Sequence, residues 1–521
     1  MTDFCCNGFT PLQRVREEGI SLKLRRYFKD IVLTLLVVIT FVQVFQIWFS
    51  DSIVPNTTDD KSSRFQDYIL SPFLQLFGKE RTDTFPQYIN ELLRPQKIVL
   101  NQSNQRAVLY SDDESYGRFY DKAEELMRGL FTGAAAVKSR ETVSMDDYCA
   151  VLKGNSIYFD YSNLYDYRLF SVSICGESKN ELSNDFSVVR ECMISLDDNV
   201  LNNVVFYMKD YKSGNVIRYV VDQNKKEFQD ELKNYFLTKQ SDSTLNYSFE
   251  LNFHKQENND GALSKLIFDP LILFNLVAAD CRAIIPEQPL RQNWTELEAG
   301  RTNAILKAFQ INPMTMRKYT NLTNAKVFVE NNATLNISPG GYLQYQTVKG
   351  WQGLPISKSE EKSGSDIYTA VSAAVNFVYS LNEELLGDSL SSLRFSSDLI
   401  ENGTPGNYTI TFDTCAAGLP VLQVNPETGE KEHYITMVIE NGYLKYYSQS
   451  LKQYHAANGS EPLTPVISAV DGLVDQLNGQ QLQTLNILNV SRCYVDGGKE
   501  DNPEPYWNIG VDGISSILTV R

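Results

Sequence analysis

Apolar positions along the chain fall into two regimes. Residues 31–50 are uncharged and almost wholly apolar, whereas the roughly 470 residues after them carry short apolar periods broken by polar turns. At 1.5 Å rise per residue, the first run makes a helix about 30 Å long, the thickness of a bilayer's hydrocarbon core. Beyond it, Tyr116, Phe119, Tyr120, Ala123, Leu126, Met127 and Leu130 recur at spacings of mainly three and four behind Asp112, Asp113 and Glu114. That pattern predicts an amphipathic helix whose first-turn carboxylates complement its dipole. Two runs, 204–211 and 216–221, flank Lys212-Ser213-Gly214-Asn215 and read as a hairpin. Residues 296–310 predict a second helix, halted by Asn312-Pro313 because proline biases its predecessor away from helical dihedrals.

Further strands are expected at 326–330, 333–337 and 342–345, then a polar stretch at 350–364 and a long apolar helix at 367–386. The last 120 or so residues are the most legible. An alternating strand covers 408–412, and runs at 434–440 and 443–447 flank Asn441-Gly442, the strongest two-residue hairpin signal in the chain. Thr464-Pro465 supplies the cap and first position of a helix ending at Asn478-Gly479. A strand at 485–495 and a closing hairpin around Asp512-Gly513 complete the reading. Hairpins interrupted by single helices indicate an α+β class: antiparallel sheets with helices packed on one face, behind an N-terminal transmembrane helix.

Charge orients the apolar run. Arg14, Arg16, Lys23, Arg25, Arg26 and Lys29 precede it, while Lys61 and Arg64 stand against Asp51, Asp59, Asp60 and Asp67 just after it. The positive-inside rule therefore places the N-terminus in the cytoplasm and the bulk outside the cell membrane as a single-pass protein. A cleaved signal peptide is the alternative, but the run exceeds the usual apolar length and no alanine occurs before Ala107. The expected organisation is a leader at 1–30, a membrane helix at 31–50, a spacer at 51–80, and exterior α+β domains at 81–265, 266–365 and 366–521. Of 48 basic and 64 acidic residues, the exterior holds 42 and 60, a net charge of −18. Nucleic acid is excluded as a partner, since its binding rests on neutralisation by Lys and Arg.

Six exterior cysteines, Cys149, Cys175, Cys192, Cys281, Cys415 and Cys493, permit disulfides or buried free thiols, and spacing does not choose between them. Eleven Asn-x-Ser/Thr sequons would carry glycans on a eukaryotic surface receptor and mean nothing in an Asn-rich bacterial chain. His254, His433 and His455 lie far apart with no metal-ligand spacing, and no P-loop, dinucleotide fingerprint or nucleophile elbow occurs. Gly387-Asp388-Ser389-Leu390 spells the tetrapeptide of GDSL esterases, yet it follows a helix and no D-x-x-H accompanies it. No catalytic, cofactor or metal residue is therefore expected. A wall-processing or esterase-like enzyme is the alternative function.

Several segments resemble the YycH family. Residues 304–313, 327–330, 335–337 and 341–345 are similar to its middle part, and 408–412, Gly418-Leu419-Pro420-Val421, the Asn441-Gly442 hairpin and Pro505-Tyr506-Trp507 to its C-terminal part. The resemblance implies a three-domain, non-enzymatic, membrane-anchored regulator without cofactor. Its implied partners are a sensor histidine kinase of a two-component system controlling cell-wall metabolism in Gram-positive bacteria and a YycI-like membrane protein. The chain departs from the family in its longer leader, its six exterior cysteines and its polar segment after Val348. On this reading Thr40, Gln43 and Gln46 form a stripe on the membrane helix that contacts kinase helices through side-chain hydrogen bonds.

Overall fold

The computed structural model describes residues 85–520 except 104, 197–202, 240–244, 252–264, 276, 288–298, 357–366, 387–391, 397–405, 425–429, 478–483, 499–501 and 513–517. Its first part comprises α1 (Phe85–Leu92), β1 (Lys97–Gln102), β2 (Gln105–Tyr110), α2 (Glu114–Phe131), β3 (Val137–Val143), α3 (Met145–Val151) and β4 (Ser156–Asp166). It continues with α4 (Tyr167–Cys175), β5 (Val188–Ser195), β6 (Asn203–Lys209), β7 (Val216–Asp222) and α5 (Lys226–Thr238). The strands form one antiparallel sheet in the order β2-β1-β4-β5-β6-β7-β3. Helix α2 starts where its acidic cluster predicts: the Asp113 carboxylate accepts the Ser115 N–H at 2.7 Å, a cap of about 1 kcal/mol. Its buried stripe takes Tyr116, Phe119, Tyr120, Ala123, Met127 and Leu130 of the predicted one, and Leu126, also predicted, is partly buried against the same core.

Alternation along β4 sends Ile157, Phe159 and Tyr161 into the core shared with α2 and α4. Tyr158 points the other way, into a second cluster with Val99, Met193, Tyr148 and Cys149 of α3, Leu152 and Tyr247. Helices on one face alone were expected, and here the sheet is covered on both. Near-continuous burial in β1 and β5 is the physical cause, since strands sandwiched on two faces lose the polar alternation of half-exposed ones.

The second part runs through β8 (Leu245–Tyr247), β9 (Lys265–Phe268), β10 (Leu273–Asn275), β11 (Ala279–Glu287), α6 (Ala299–Ala308), β12 (Arg317–Thr320), β13 (Lys326–Glu330), β14 (Ala333–Ile337) and β15 (Tyr342–Thr347). It then adds β16 (Leu354–Pro355), α7 (Ile367–Leu386), β17 (Leu393–Phe395), β18 (Asn407–Ala416), β19 (Leu419–Val424), β20 (Lys431–Glu432), β21 (Ile435–Glu440) and β22 (Tyr443–Ser450). The last elements are β23 (Gln453–Leu463), α8 (Val466–Leu477), β24 (Thr484–Asp496), β25 (Glu504–Val511) and β26 (Leu518–Val520). Eleven strands follow one another across a large sheet in the order β12-β13-β14-β15-β22-β21-β18-β19-β24-β25-β26, with β16, β17, β20 and β9 pairing beside that path. Ribbons β8–β10 and β11–β23 stand apart from it.

The α+β class holds, with two exceptions to its antiparallel order: β19 and β9 each pair parallel to β24. Asn441 and Gly442 take φ of 51° and 83° between β21 and β22, the pair of left-handed residues that a two-residue hairpin of matching twist requires. Helix α7 buries Ala370, Val371, Ala374, Val375, Val378, Leu381 and Leu385 at helical spacing. Each larger side chain among them contributes about 1.5–3 kcal/mol. These residues join the cluster that takes Phe159 and Ile194 from the first sheet and Ile410, Met437 and Leu444 from the second. Among the described residues no helix is long and apolar enough to cross a membrane; the apolar run at 31–50 lies outside the described residues.

Candidate functional site

Helix α1, the first described element, is gripped from both sides of the molecule. On the side of the first sheet, the Tyr120 hydroxyl donates to Asn90 Oδ1 at 3.3 Å and Asn90 Nδ2 reaches Glu124 at 3.5 Å. The turn after α1 is fixed by Tyr116, whose hydroxyl donates to the Pro95 carbonyl at 2.5 Å. On the side of the second sheet, the Tyr88 ring stacks on Tyr379 of α7 with centroids 3.7 Å apart, and Arg394 of β17 donates to the Glu91 carbonyl at 3.3 Å. The same seam is stitched by Asn163 and Tyr165, which both donate to the Phe395 carbonyl, at 3.2 and 2.9 Å. The first described helix is therefore wedged between the two sheets.

Behind the first sheet lies a buried ionic chain. Lys97 and Asp160 face each other across β1 and β4 with Nζ and Oδ2 3.1 Å apart, and Arg190 Nε approaches Asp160 Oδ1 at 3.8 Å. Burial works to raise the Asp160 carboxyl, but Lys97, Arg190 and the Ser162 N–H outweigh it and hold it below the usual 3.8. Arg190 continues across to β24, donating to the Leu488 carbonyl at 3.4 Å. Beside it, Glu191 accepts from Tyr158 at 3.0 Å and Tyr211 at 2.6 Å. Burial pushes this carboxyl up, against the pull of Arg190 and Lys209.

One cluster has the residue types of a hydrolase. Ser396, His433 and Asp413 converge beside β18, but Asp413 Oδ1 at 3.0 Å and Ser396 Oγ at 3.4 Å both lie on the same ring nitrogen, Nδ1. A serine relay needs the acid on one nitrogen and the nucleophile on the other. This trio instead pins β18 to the link between β20 and β21. Burial raises the Asp413 carboxyl, and His433, Lys431 and the Tyr434 N–H overcome it to hold it below the ordinary range. The sequence offers no signal for this convergence, because the three residues sit in no motif and meet only through strand pairing.

The expected site residues are placed as follows. Thr40, Gln43, Gln46 and Ser389 lie outside the described residues. Cys149, Cys192, Cys281 and Cys493 are buried, Cys175 and Cys415 half-buried, and all six are free thiols. Burial pushes Cys149 and Cys415 up to about 11 and Cys493 up to about 12, the direction opposite to that of an activated nucleophile. Among the described residues no cluster of His, Cys, Asp and Glu could hold a metal ion. The sequon at Asn101 begins on a buried strand residue whose amide donates to Ser156 Oγ at 3.3 Å, so that site is closed to a glycan in the folded chain.

No protein-family model matches the chain, and no curated protein matches it. Among solved structures, the crystal structure of YycH from Bacillus subtilis aligns over 83% of this chain and 97% of that one, with a TM-score of 0.53 at 13% identity. The fold is YycH-like. The segments that carried the sequence resemblance to YycH prove to be packing positions. Ile305, Leu306, Phe309 and Ile311 close the core over α6, Gly418 takes a φ of 77° between β18 and β19, and Trp507 is buried on β25 with its indole N–H on the Thr464 carbonyl at 2.8 Å. A YycH-like fold is thus maintained here by burial pattern and turn chemistry at very low identity.

Proposed function

We propose that this chain is a non-enzymatic regulatory subunit, anchored by the helix at 31–50, that modulates a sensor histidine kinase of a two-component system controlling cell-wall metabolism. Its bulk lies outside the cell and its N-terminus in the cytoplasm. A YycI-like membrane protein is the further partner. The observation that carries this reading is the YycH-like fold over 83% of the chain. Support comes from the basic flank and apolar run of the sequence, and from the placing of α1, which hands the chain into the seam between the sheets. A body displaced by an exterior ligand would move α1, and through it the anchor.

Contacts within the membrane then bias the kinase. Side-chain hydrogen bonds between helices in hydrocarbon contribute about 0.6–2 kcal/mol each, enough to shift a two-state sensor several-fold. Replacing Thr40, Gln43 and Gln46 by leucine in the full chain weakens co-purification with the kinase from native membranes by about threefold or more. Association and signalling that stay unchanged would reject the stripe. Protease added to intact cells removes the body and leaves a short stub; a body that survives rejects the orientation. Hydrolysis of a model ester that is lost in Ser389→Ala would overturn the non-enzymatic reading.

A further inference from the structure

Strand β12 forms one end of the large sheet's main path and, among the described residues, pairs only with β13. All four of its residues are exposed. Arg317 pairs with Val329, Lys318 with Phe328, Tyr319 with Val327 and Thr320 with Lys326, and the Asn321 N–H extends the ladder to the Ala325 carbonyl at 3.0 Å. Hydrogen-bonded and non-bonded pairs alternate in an antiparallel ladder. Tyr319 and Arg317 therefore spend their backbone groups on β13, and Lys318 and Thr320 direct theirs outward. An incoming strand finds two N–H and two C=O groups in register.

The surroundings give this edge a charge and an apolar rim. From residue 307 to residue 349 the chain has five basic residues, Lys307, Arg317, Lys318, Lys326 and Lys349, and one acid, Glu330, in a protein of net charge −16. Glu330 is engaged by Thr315 Oγ1 at 3.0 Å and by the Asn312 N–H at 3.4 Å. Neither Arg317 nor Lys318 makes an ion pair among the described residues; Lys318 lies over the Phe328 ring at 5.6 Å. Met314, Tyr319 and Leu322 are 49%, 53% and 107% exposed. The exposed edge of the first sheet is built differently. On β3, Lys138 pairs with Asp222 at 3.0 Å, and Arg140 and Glu141 pair with Asp185 and Arg218. Its charges are neutralised by Asp222 and Arg218 of the neighbouring β7 and by Asp185 of the turn before β5, as a guarded edge requires.

We propose that β12 is a docking edge for an extended, acidic and apolar strand of a partner protein, added to the sheet beside Lys318 and Thr320. A lipid surface is the poorer occupant, because outward N–H and C=O groups have no partner in hydrocarbon. A second copy is poorer too, because β12 against β12 gathers Arg317 and Lys318 of both chains, four cations, along one short seam. The inference is independent of which complex the chain regulates.

A photoreactive phenylalanine analogue at position 319 of the full chain, illuminated in native membranes, tests it. The expected product is a cross-link to one segment of another protein, alternating and acidic by mass spectrometry. Thr320→Pro deletes only an outward N–H and should lower the yield about tenfold, and Arg317→Glu with Lys318→Glu should lower it further. Unchanged thermal melting of both variants separates lost docking from lost folding. A cross-link to lipid, to a second copy or to nothing overturns the proposal, as does a full yield in Thr320→Pro. Kinase association that persists in Thr320→Pro while the cross-link disappears upholds this edge and leaves the membrane stripe to its own test.

Discussion

Glu191 and Asp160 sit side by side across β5 and β4, yet burial acts on them with opposite results. Asp160 has two cations and a backbone N–H, so its folded value lies below 3.8; its stabilisation is complete above that value and is lost as pH falls through the lower one. Glu191 has two tyrosine hydroxyls and an Oε1 that is buried without a partner. Its folded value lies above 4.5, so the folded state favours the protonated acid and is penalised as pH rises through that raised value. Glutamine keeps the acceptor for Tyr158 and Tyr211 and cannot ionise. Glu191→Gln should therefore gain about 1 kcal/mol in urea unfolding at neutral pH and nothing below 4.5. A loss at neutral pH would show that Arg190 and Lys209 hold this carboxylate charged.

At the scale of elements, α7 shows what a polar contact adds to an apolar helix. Gln449 Nε2 of β22 donates to Asn382 Oδ1 at 2.6 Å, and the Tyr447 hydroxyl donates to Gln449 Oε1 at 2.8 Å, all within the core. The apolar stripe alone would allow α7 to slide by a turn, and this bond fixes its register. Asn382→Leu strands the Gln449 amide and should cost about 1–3 kcal/mol, with most of it recovered when Gln449→Leu and Tyr447→Phe are added, which leave neither the amide nor the Tyr447 hydroxyl stranded; a triple variant as unstable as the single one would reject the account. Helix α7 was legible to its end residues because its period is local, and so were β13, β14 and the turn at Asn441. The parallel pairing of β19 and β9 with β24 was not, nor were the short helix α3 and the second ribbon. Pairing partners far apart in sequence leave no periodic trace, and a seven-residue helix is too short to show one. Of the proposed functional positions, the stripe of Thr40, Gln43 and Gln46 was read from hydropathy alone and lies outside the described residues. The seam around Tyr88, Tyr379 and Phe395 was missed, because each residue reads as an ordinary core aromatic.

For the whole molecule, the decisive feature is that the core does not stop between the sheets. One apolar cluster runs from Ile89 to Leu451 through segments that the sequence divides at 265 and 365, and residues 83–521 form one compact unit. The first sheet cannot unfold without exposing the second sheet's share of that cluster, together with the Tyr165 and Asn163 bonds to Phe395. Pulse-labelled hydrogen exchange of the full chain in detergent across a urea series should accordingly show peptides from β4 and from β21 losing protection at one shared midpoint. Tyr165→Phe removes a 2.9 Å bond at the seam and leaves the ring tilted against Phe395 with centroids 5.7 Å apart. It should lower both midpoints together, by about 1 kcal/mol. Separate midpoints in the unaltered chain would mean that the sheets fold as independent bodies, and α1 would then be a hinge pin between domains instead of a wedge within one core. A shared midpoint is what the proposed coupling through α1 requires: both sheets must hold as one body for a push on either to reach that helix.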